Sequence, residues 1–406
     1  MAKNPNPIFG NGSVPIQGTS LDDDIFGSLN VDRIDAGAGN DIIFGDGRDS
    51  STGLSPTSGK GDRIYGEDGN DIIYGGNEDE SVIVPAKDLL YGGAGNDYVF
   101  GEGGHDVLNG GIGEDYLYGG TGDDELYGEE GNDSLTGGSG NDIIDGGSGY
   151  DTVYANGGSF TLTNSQLISN SLGTDTLTSI ESAFIIGGGG DDILDASAFT
   201  GGGLAGARVT LFGSDGNDTI KGSSGNDNLQ GGSGTDTIFG GAGNDEIYAG
   251  SNTQLTADIL VGGFGSDLLV GSGGNNRLTG VDITGGLLKP GLGEVDILTG
   301  NGGNDVFVLG DTNAIYYNDG NMRLSGAVEG FAKITDFNSG DKIELKGASG
   351  NYSLMNYNNN GISGIGIYAK LSTGIMQNQY NELIAVVQNV APTLLNLGNS
   401  NQFNYV

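Results

Sequence analysis

Between Gly92 and Tyr154 an apolar side chain returns at every ninth residue: Val99, Leu108, Leu117, Leu126, Leu135, Ile144 and Val153. A helix would repeat every 3.6 residues and a half-buried strand every two, so a period of nine belongs to neither alone. It is the mark of a repeat architecture, in which each unit buries one side chain against its neighbours. The seven nonapeptides start at Gly92, Gly101, Gly110, Gly119, Gly128, Gly137 and Gly146, and each carries an aspartate at its sixth position. The unit reads GGxGxD, then x, apolar, x, and nine units in the chain match GGxGxD to the letter. About 0.3 such matches would arise by chance at this composition.

The same phase extends along most of the chain. Upstream units start at Gly18, Gly27, Ala36, Gly45, Gly66 and Gly75, with loops inserted at 48–60 and 78–87, which makes 13 units in a first block. A lone unit lies at 187–195. A second block of nine starts at Gly213, Gly222, Gly231, Gly240, Ala249, Gly262, Gly271, Gly280 and Gly300, with loops before Asp258 and Asp296. The expected organisation is therefore a lead-in (1–17), a first block (18–154), an irregular β segment continuing the stack (155–212), a second block (213–310) and a β-rich cap (311–406). Short β-prone runs recur in the last segment, such as Ala332–Thr335 and Lys342–Leu345, and a solenoid needs an atypical end to cover its core. No segment shows a helical period.

Glycines turn the chain in the first six residues of a unit, and the last three are strand with the middle one buried. Two units make one flat coil of 18 residues, and coils stack at the sheet spacing of about 4.8 Å. Each aspartate then faces the turn of a neighbouring coil. Carboxylate and carbonyl oxygens at that spacing form a cage for a hard cation, and calcium tolerates such flexible, many-oxygen geometry better than magnesium. The candidate ligands are Asp23, Asp32, Asp41, Asp62, Asp71, Asp88, Asp97, Asp106, Asp115, Asp124, Asp133, Asp142 and Asp151, the lone Asp192, and Asp218, Asp227, Asp236, Asp245, Asp258, Asp267, Asp296 and Asp305.

Composition makes the cation a necessity. The 406 residues carry a net charge of −39 with 83 glycines and 35% hydrophobic residues, close to the disordered regime. One apolar side chain per nine residues does not offset an ordering cost of roughly 1–2 kcal/mol per residue. A bound cation removes the repulsion and adds its binding free energy to folding. If each ion joins units two apart, the 13 and nine units hold about 11 and about 7 ions. Those roughly 18 ions carry about +36, against the −39 of the chain. The charge argues against nucleic acid and anionic membrane surfaces as partners. There is no cysteine, no apolar window long enough for a membrane span, and no apolar leader in residues 1–12.

The motif resembles the RTX, or haemolysin-type, calcium-binding repeats over about residues 18–310, a nonapeptide signature that the general catalogue of repeats includes. The resemblance implies an all-β fold, a right-handed parallel β-roll (β-solenoid) in two repeat blocks with a β-rich C-terminal cap. It also implies calcium held by the sixth-position aspartates and turn carbonyls. Asn276 replaces the acid in one unit, and Gly59-Lys60-Gly61 breaks the spacing before Asp62, so weak or missing sites are expected there. Ile334-Thr335-Asp336-Phe337 and Gly340-Asp341-Lys342-Ile343-Glu344-Leu345 resemble the segment that closes the roll in this family. The resemblance further implies an uncleaved C-terminal signal, the type I secretion machinery as a partner, an extracellular location, and folding only outside the cell.

Three functions follow from different classes. The first is a secreted, non-enzymatic calcium-binding surface or matrix protein. The second is a hydrolase or toxin; against it, His105 is the only histidine, no HExxH or GxSxG occurs, and repeats beginning near residue 18 leave no room for a separate domain ahead of them. The third is a polysaccharide-binding or self-assembling module. The outward ninth positions of alternate units read Phe26, Phe44, Tyr74, Phe100, Tyr118, Thr136 and Tyr154. Such a ladder either offers rings to sugars or a second copy, or stacks between coils and stabilises them.

Overall fold

Each pair of nonapeptides closes one turn of a coil, and equivalent residues of successive coils lie side by side in parallel sheets. A computed structural model describes residues 3–10, 15–28, 30–46, 60–77, 87–203, 207–250, 257–281, 293–310, 314–317, 330–370, 381–391 and 393–406. The loop interiors at 48–59, 78–86, 251–256 and 282–292 lie outside the described residues. Two compact units form: residues 1–185 with 199–207, and residues 186–198 with 208–406. Among the described residues there is no α-helix, and no helix is long and apolar enough to cross a membrane.

The first unit is a parallel β-roll. One sheet stacks Arg33–Ala38, Arg63–Asp68, Leu89–Ala94, Val107–Ile112, Glu125–Glu130 and Ile143–Ser148. The other stacks Asp24–Phe26, Ile42–Phe44, Ile72–Asn77, Tyr98–Gly103, Tyr116–Thr121, Ser134–Ser139 and Thr152–Asn156. Registers follow the repeat: Leu108 lies between Leu90 and Leu126. Insertions leave the stack intact, since Arg63 pairs with Arg33 across the loop between them. The eighth-position side chains are fully buried in one file per sheet, with Ile34, Ile64, Leu90, Leu108, Leu126 and Ile144 on one side and Ile43, Ile73, Val99, Leu117, Leu135 and Val153 on the other.

Most strands are twice as long as the sequence suggests. Leu89–Ala94, for example, covers positions seven to nine and then the first three of the next unit, so only positions four to six turn. Alternation explains it: positions eight and one both point inward, and glycine at position one leaves room for what lies opposite. After Thr152–Asn156 the chain forms an antiparallel pair of hairpins, Phe160–Thr163, Gln166–Ser169 and Gly173–Thr178, and the last strand rejoins Ile143–Ser148 in parallel.

The second unit repeats the plan. Arg208–Asp215, Asn228–Ser233, Glu246–Tyr248, Leu268–Val270, Val295–Thr299 and Phe331–Ile334 stack in parallel on one side. Ile193–Ala198, Thr219–Lys221, Thr237–Ala242, Ile259–Phe264, Arg277–Val281, Val306–Val308 and Lys342–Leu345 stack on the other. The final rungs are Asn381–Val387 beside Phe331–Ile334 and Phe403–Tyr405 beside Lys342–Leu345. An antiparallel meander, Tyr352–Asn359 and Ile362–Lys370, continues from Asn381–Val387 and buries Tyr368 and Leu383 against Phe331 and Val386. This is the β-rich cap.

Because each coil buries only two such files, every member carries a large share of its stability. Truncating Leu108 to Ala is expected to cost about 2–5 kcal/mol, read as a lowered denaturation midpoint of the calcium-saturated chain. The outward Asn109→Ser change in the same strand serves as the control, with little shift expected.

Candidate metal centres

The sixth-position aspartates line the corners of the coils and are buried, although they are charged. They are held by a ladder. The backbone N–H of each aspartate donates to Oδ1 of the aspartate one coil further on: Asp97 to Asp115 at 2.8 Å, Asp115 to Asp133 at 2.8 Å, Asp218 to Asp236 at 2.9 Å. Each aspartate carbonyl accepts from the first strand residue of that next coil, as Asp97 does from Tyr116 at 2.8 Å. The ladder crosses the loops too, from Asp32 to Asp62, from Asp62 to Asp88 and from Asp267 to Asp296.

The second oxygen is different. In Asp41, Asp62, Asp71, Asp97, Asp106, Asp115, Asp124, Asp133, Asp142, Asp151, Asp218, Asp236, Asp245, Asp267 and Asp305, Oδ2 is buried and has no hydrogen-bond partner. Leaving one charged oxygen bare costs kilocalories, so a repeated array of them calls for a counter-ion. Asp62 shares this arrangement despite the broken spacing before it.

The space beside that oxygen is shaped for an ion. A Cβ placed on Gly119, at position one, would fall 2.4 Å from Oδ2 of Asp124 and 2.6 Å from the carbonyl oxygen of Gly137 in the next coil. Glycine at position one in most units keeps that cradle open, and Ala36 and Ala249 are the small side chains that replace it. Position two of these turns lies in the left-handed region, at φ 119° for Gly93 and 117° for Gly120. Glu67, Glu102, Glu129 and Ser214 adopt it as well, at 75–84°. Among the described residues no three acidic or histidine side chains converge on one point. Each corner instead presents one carboxylate beside backbone carbonyls, an all-oxygen set suited to a hard cation.

One corner displays the cage directly. Asn276 stands where other units have the acid, and its amide nitrogen lies 3.2 Å from the carbonyl oxygens of Ser272, Gly274 and Gly300 and 3.1 Å from Oδ1 of Asp305, sharing its two hydrogens among them. A protein N–H donor thus occupies the place that a cation fills among oxygens. Six further candidates are hydrogen-bonded within the protein at Oδ2. Asp23 accepts from Thr19, Asp32 from Ser28, Asp192 from Gly188, Asp227 from Ser223 and Asp258 from Ser272. Asp296 accepts a short hydrogen bond from the buried Tyr317 hydroxyl. Asp88 takes its place in the ladder through Oδ1.

Sequence reasoning missed three rungs. Asp175 accepts from Asp142 N–H, Glu181 from Asp151 N–H, and Asp341 from Asp305 N–H. Gly173-Thr174-Asp175-Thr176-Leu177 and Asp341-Lys342-Ile343 keep the second half of the motif, which was the available signal. A second ladder runs through position five. Asn40 Oδ1 accepts from Asn70 N–H, and Asn70 Oδ1 from Asn96 N–H, both at 2.9 Å. His105 belongs to it: its Nδ1 accepts from Asp123 N–H at 2.8 Å, in the place of an asparagine oxygen.

Burial without a counter-ion raises the carboxyls. It pushes Asp62, Asp106 and Asp267 up to about 9, with repulsion from Asp88 adding at Asp62 and Asp106 and from Asp296 at Asp267. Asp245 rises to about 8, Asp71 and Asp124 to about 7, and Asp97, Asp115 and Asp236 to about 6, again through burial.

The family model of RTX calcium-binding nonapeptide repeats (four copies) matches residues 17–47, 57–80, 86–117, 118–153, 184–200, 212–247 and 255–281, half of the chain. The chain belongs to this family, and its repeats are calcium-binding repeats. No curated protein matches it.

The raised carboxyls set a pH dependence. Their folded values lie above the unfolded 3.8, so the ion-free fold is best supported below about pH 4 and loses that support as pH rises through about 6–9. Calcium must displace the same protons. Calorimetry at pH 6 in two buffers of different ionisation heat is expected to show proton release on calcium binding, with affinity rising towards pH 9. Heats independent of the buffer would contradict it.

Proposed function

We propose that this member of the RTX repeat family is a secreted, non-enzymatic protein that folds on binding calcium outside the cell and serves as a surface or matrix component. The observation that carries the proposal is the array of buried aspartate oxygens with no protein donor, repeated at successive coils. A chain of net charge −39 that buries such an array is ordered only when cations neutralise it. Calcium supplies the positive charge and a flexible oxygen coordination sphere. The protein's own residues do the rest: position-one glycines leave the cradle open, aspartates supply the charged oxygen, and the Oδ1 ladder holds each carboxylate in place.

The candidate ligands are the bare-oxygen aspartates first, in the blocks 18–154 and 213–310. The segment 311–406 is read as the cap that also carries the export signal for type I secretion. Secretion fits the chemistry, since a fold requiring many calcium ions stays open where calcium is scarce. Removing calcium from the purified full chain with excess chelator is expected to abolish its β-sheet circular dichroism, and restoring calcium to regenerate it. Full structure retained in chelator would rule the proposal out.

The ring geometry supports a structural use of the aromatic ladder over a sugar platform. Phe9, Phe26, Phe44, Tyr74 and Phe100 stack with centroids 5.3, 5.2, 4.9 and 5.0 Å apart and planes within 20° of parallel. Tyr65 and Tyr91 stack likewise at 4.9 Å. Rings that lie face on face cover the surfaces a sugar would use and leave only edges outward. Each stacked pair contributes about 0.5–1.5 kcal/mol. Truncating Tyr74 and Phe100 to Ser is expected to lower the denaturation midpoint of the calcium-loaded chain without changing retention on polysaccharide matrices. Retention by the wild type that this variant loses would restore the binding reading.

A further inference from the structure

Most repeat turns take one of two backbone forms, and the form tracks whether the carboxylate oxygen is bare; Asp258 is an exception, its Oδ2 accepting from Ser272 although Gly250 is left-handed. In the open form, position two is left-handed, the strand runs on into the turn, and the aspartate's Oδ2 is bare, as at Gly232 with Asp236 and Gly120 with Asp124. In the closed form, position two lies outside the left-handed region and its N–H donates to Oδ2; it is Thr19, Ser28 or Ser223 at three corners and Gly188 at Asp192. Ser223 shows its chemistry. Its backbone N–H donates to Oδ2 of Asp227 at 2.6 Å, its hydroxyl donates to Oδ1 at 2.9 Å, and the hydroxyl accepts from Gly225 N–H at 3.1 Å. Thr19 and Ser28 close on Asp23 and Asp32 in the same way, with hydroxyls that accept from the N–H of Leu21 and Asn30. The strands before Ser28 and Ser223 stop at three residues, because the N–H of position two now serves the carboxylate.

The side chain alone does not select the form. Ser214 is left-handed, at φ 84°, and Oδ2 of its aspartate, Asp218, is bare. Its turn, Gly-Ser-Asp-Gly-Asn-Asp, differs from that of Ser223, Gly-Ser-Ser-Gly-Asn-Asp, only at position three.

We infer that the closed corners at Asp23, Asp32 and Asp227 carry no calcium, because position two there turns its N–H and hydroxyl onto the carboxylate. The closed form spends on the carboxylate the donors that a cation would replace, so an ion there must break two hydrogen bonds and rebuild the turn. An open corner has nothing to give up. The inference rests on the calcium-dependent reading above and deepens it to individual corners.

Native mass spectrometry of the calcium-loaded full chain, with circular dichroism on the same sample, tests it. Asp227→Asn and Asp32→Asn are expected to leave the number of bound ions unchanged, whereas Asp236→Asn and Asp124→Asn each lose at least one. Loss of an ion from Asp227→Asn equal to the loss from Asp236→Asn in a folded sample overturns the inference while leaving calcium-driven folding intact. A wild-type chain that takes up no calcium removes both.

Discussion

Like charges stacked at the spacing of a β-sheet are the constraint on which this fold turns. Parallel in-register pairing places each sixth-position carboxylate over the one a coil away, and the Oδ1 ladder fixes it there. That arrangement satisfies one oxygen and strands the other in a buried corner. The fold therefore contains a deficit that its own donors do not meet. Hydrophobic burial is thin, with one file of Ile, Leu and Val per sheet, so the deficit and its neutralisation dominate the balance.

Glycine reconciles the geometry with the chemistry. At position one it makes room for a carboxylate oxygen and a neighbouring carbonyl to approach a shared point. At position two it allows the left-handed turn that keeps the corner open. The other repeating features act as stiffening along the stack. Asparagine oxygens at position five accept the next coil's backbone N–H, and His105 does so through Nδ1. Aromatic rings at position nine lie on one another. None of these needs a partner outside the chain, and each adds a contact between coils only when the register is kept.

The chain has also replaced the cation locally. Asn276 inserts an amide nitrogen among four oxygens, and Tyr317 brings a hydroxyl to Asp296 from beyond the repeats. The first was legible as a broken motif. The second was not, because Tyr317 lies outside the repeat phase and reaches Asp296 only through the path of the chain. The extra rungs at Asp175 and Asp341 stood between these cases, since half of the motif survives around each.

Sequence alone determined the period, the buried file, the acid at each corner and the need for a hard cation, because each depends on residues at fixed spacing and on charge that can be counted. It also determined the all-β coil, since each unit joins a glycine turn to a short strand with one inward side chain. Tertiary structure decided how long the strands run, which aspartate oxygens are left bare and which turns close on themselves. Two hexapeptides that differ at one residue take opposite forms at Ser214 and Ser223. Both forms satisfy the local backbone, one by a left-handed residue and the other by a hydroxyl-capped turn. The shared Gly-Ser start does not choose between them; the choice is made only in the folded turn, where the N–H of Ser223 reaches Oδ2 of Asp227 while Oδ2 of Asp218 stays bare.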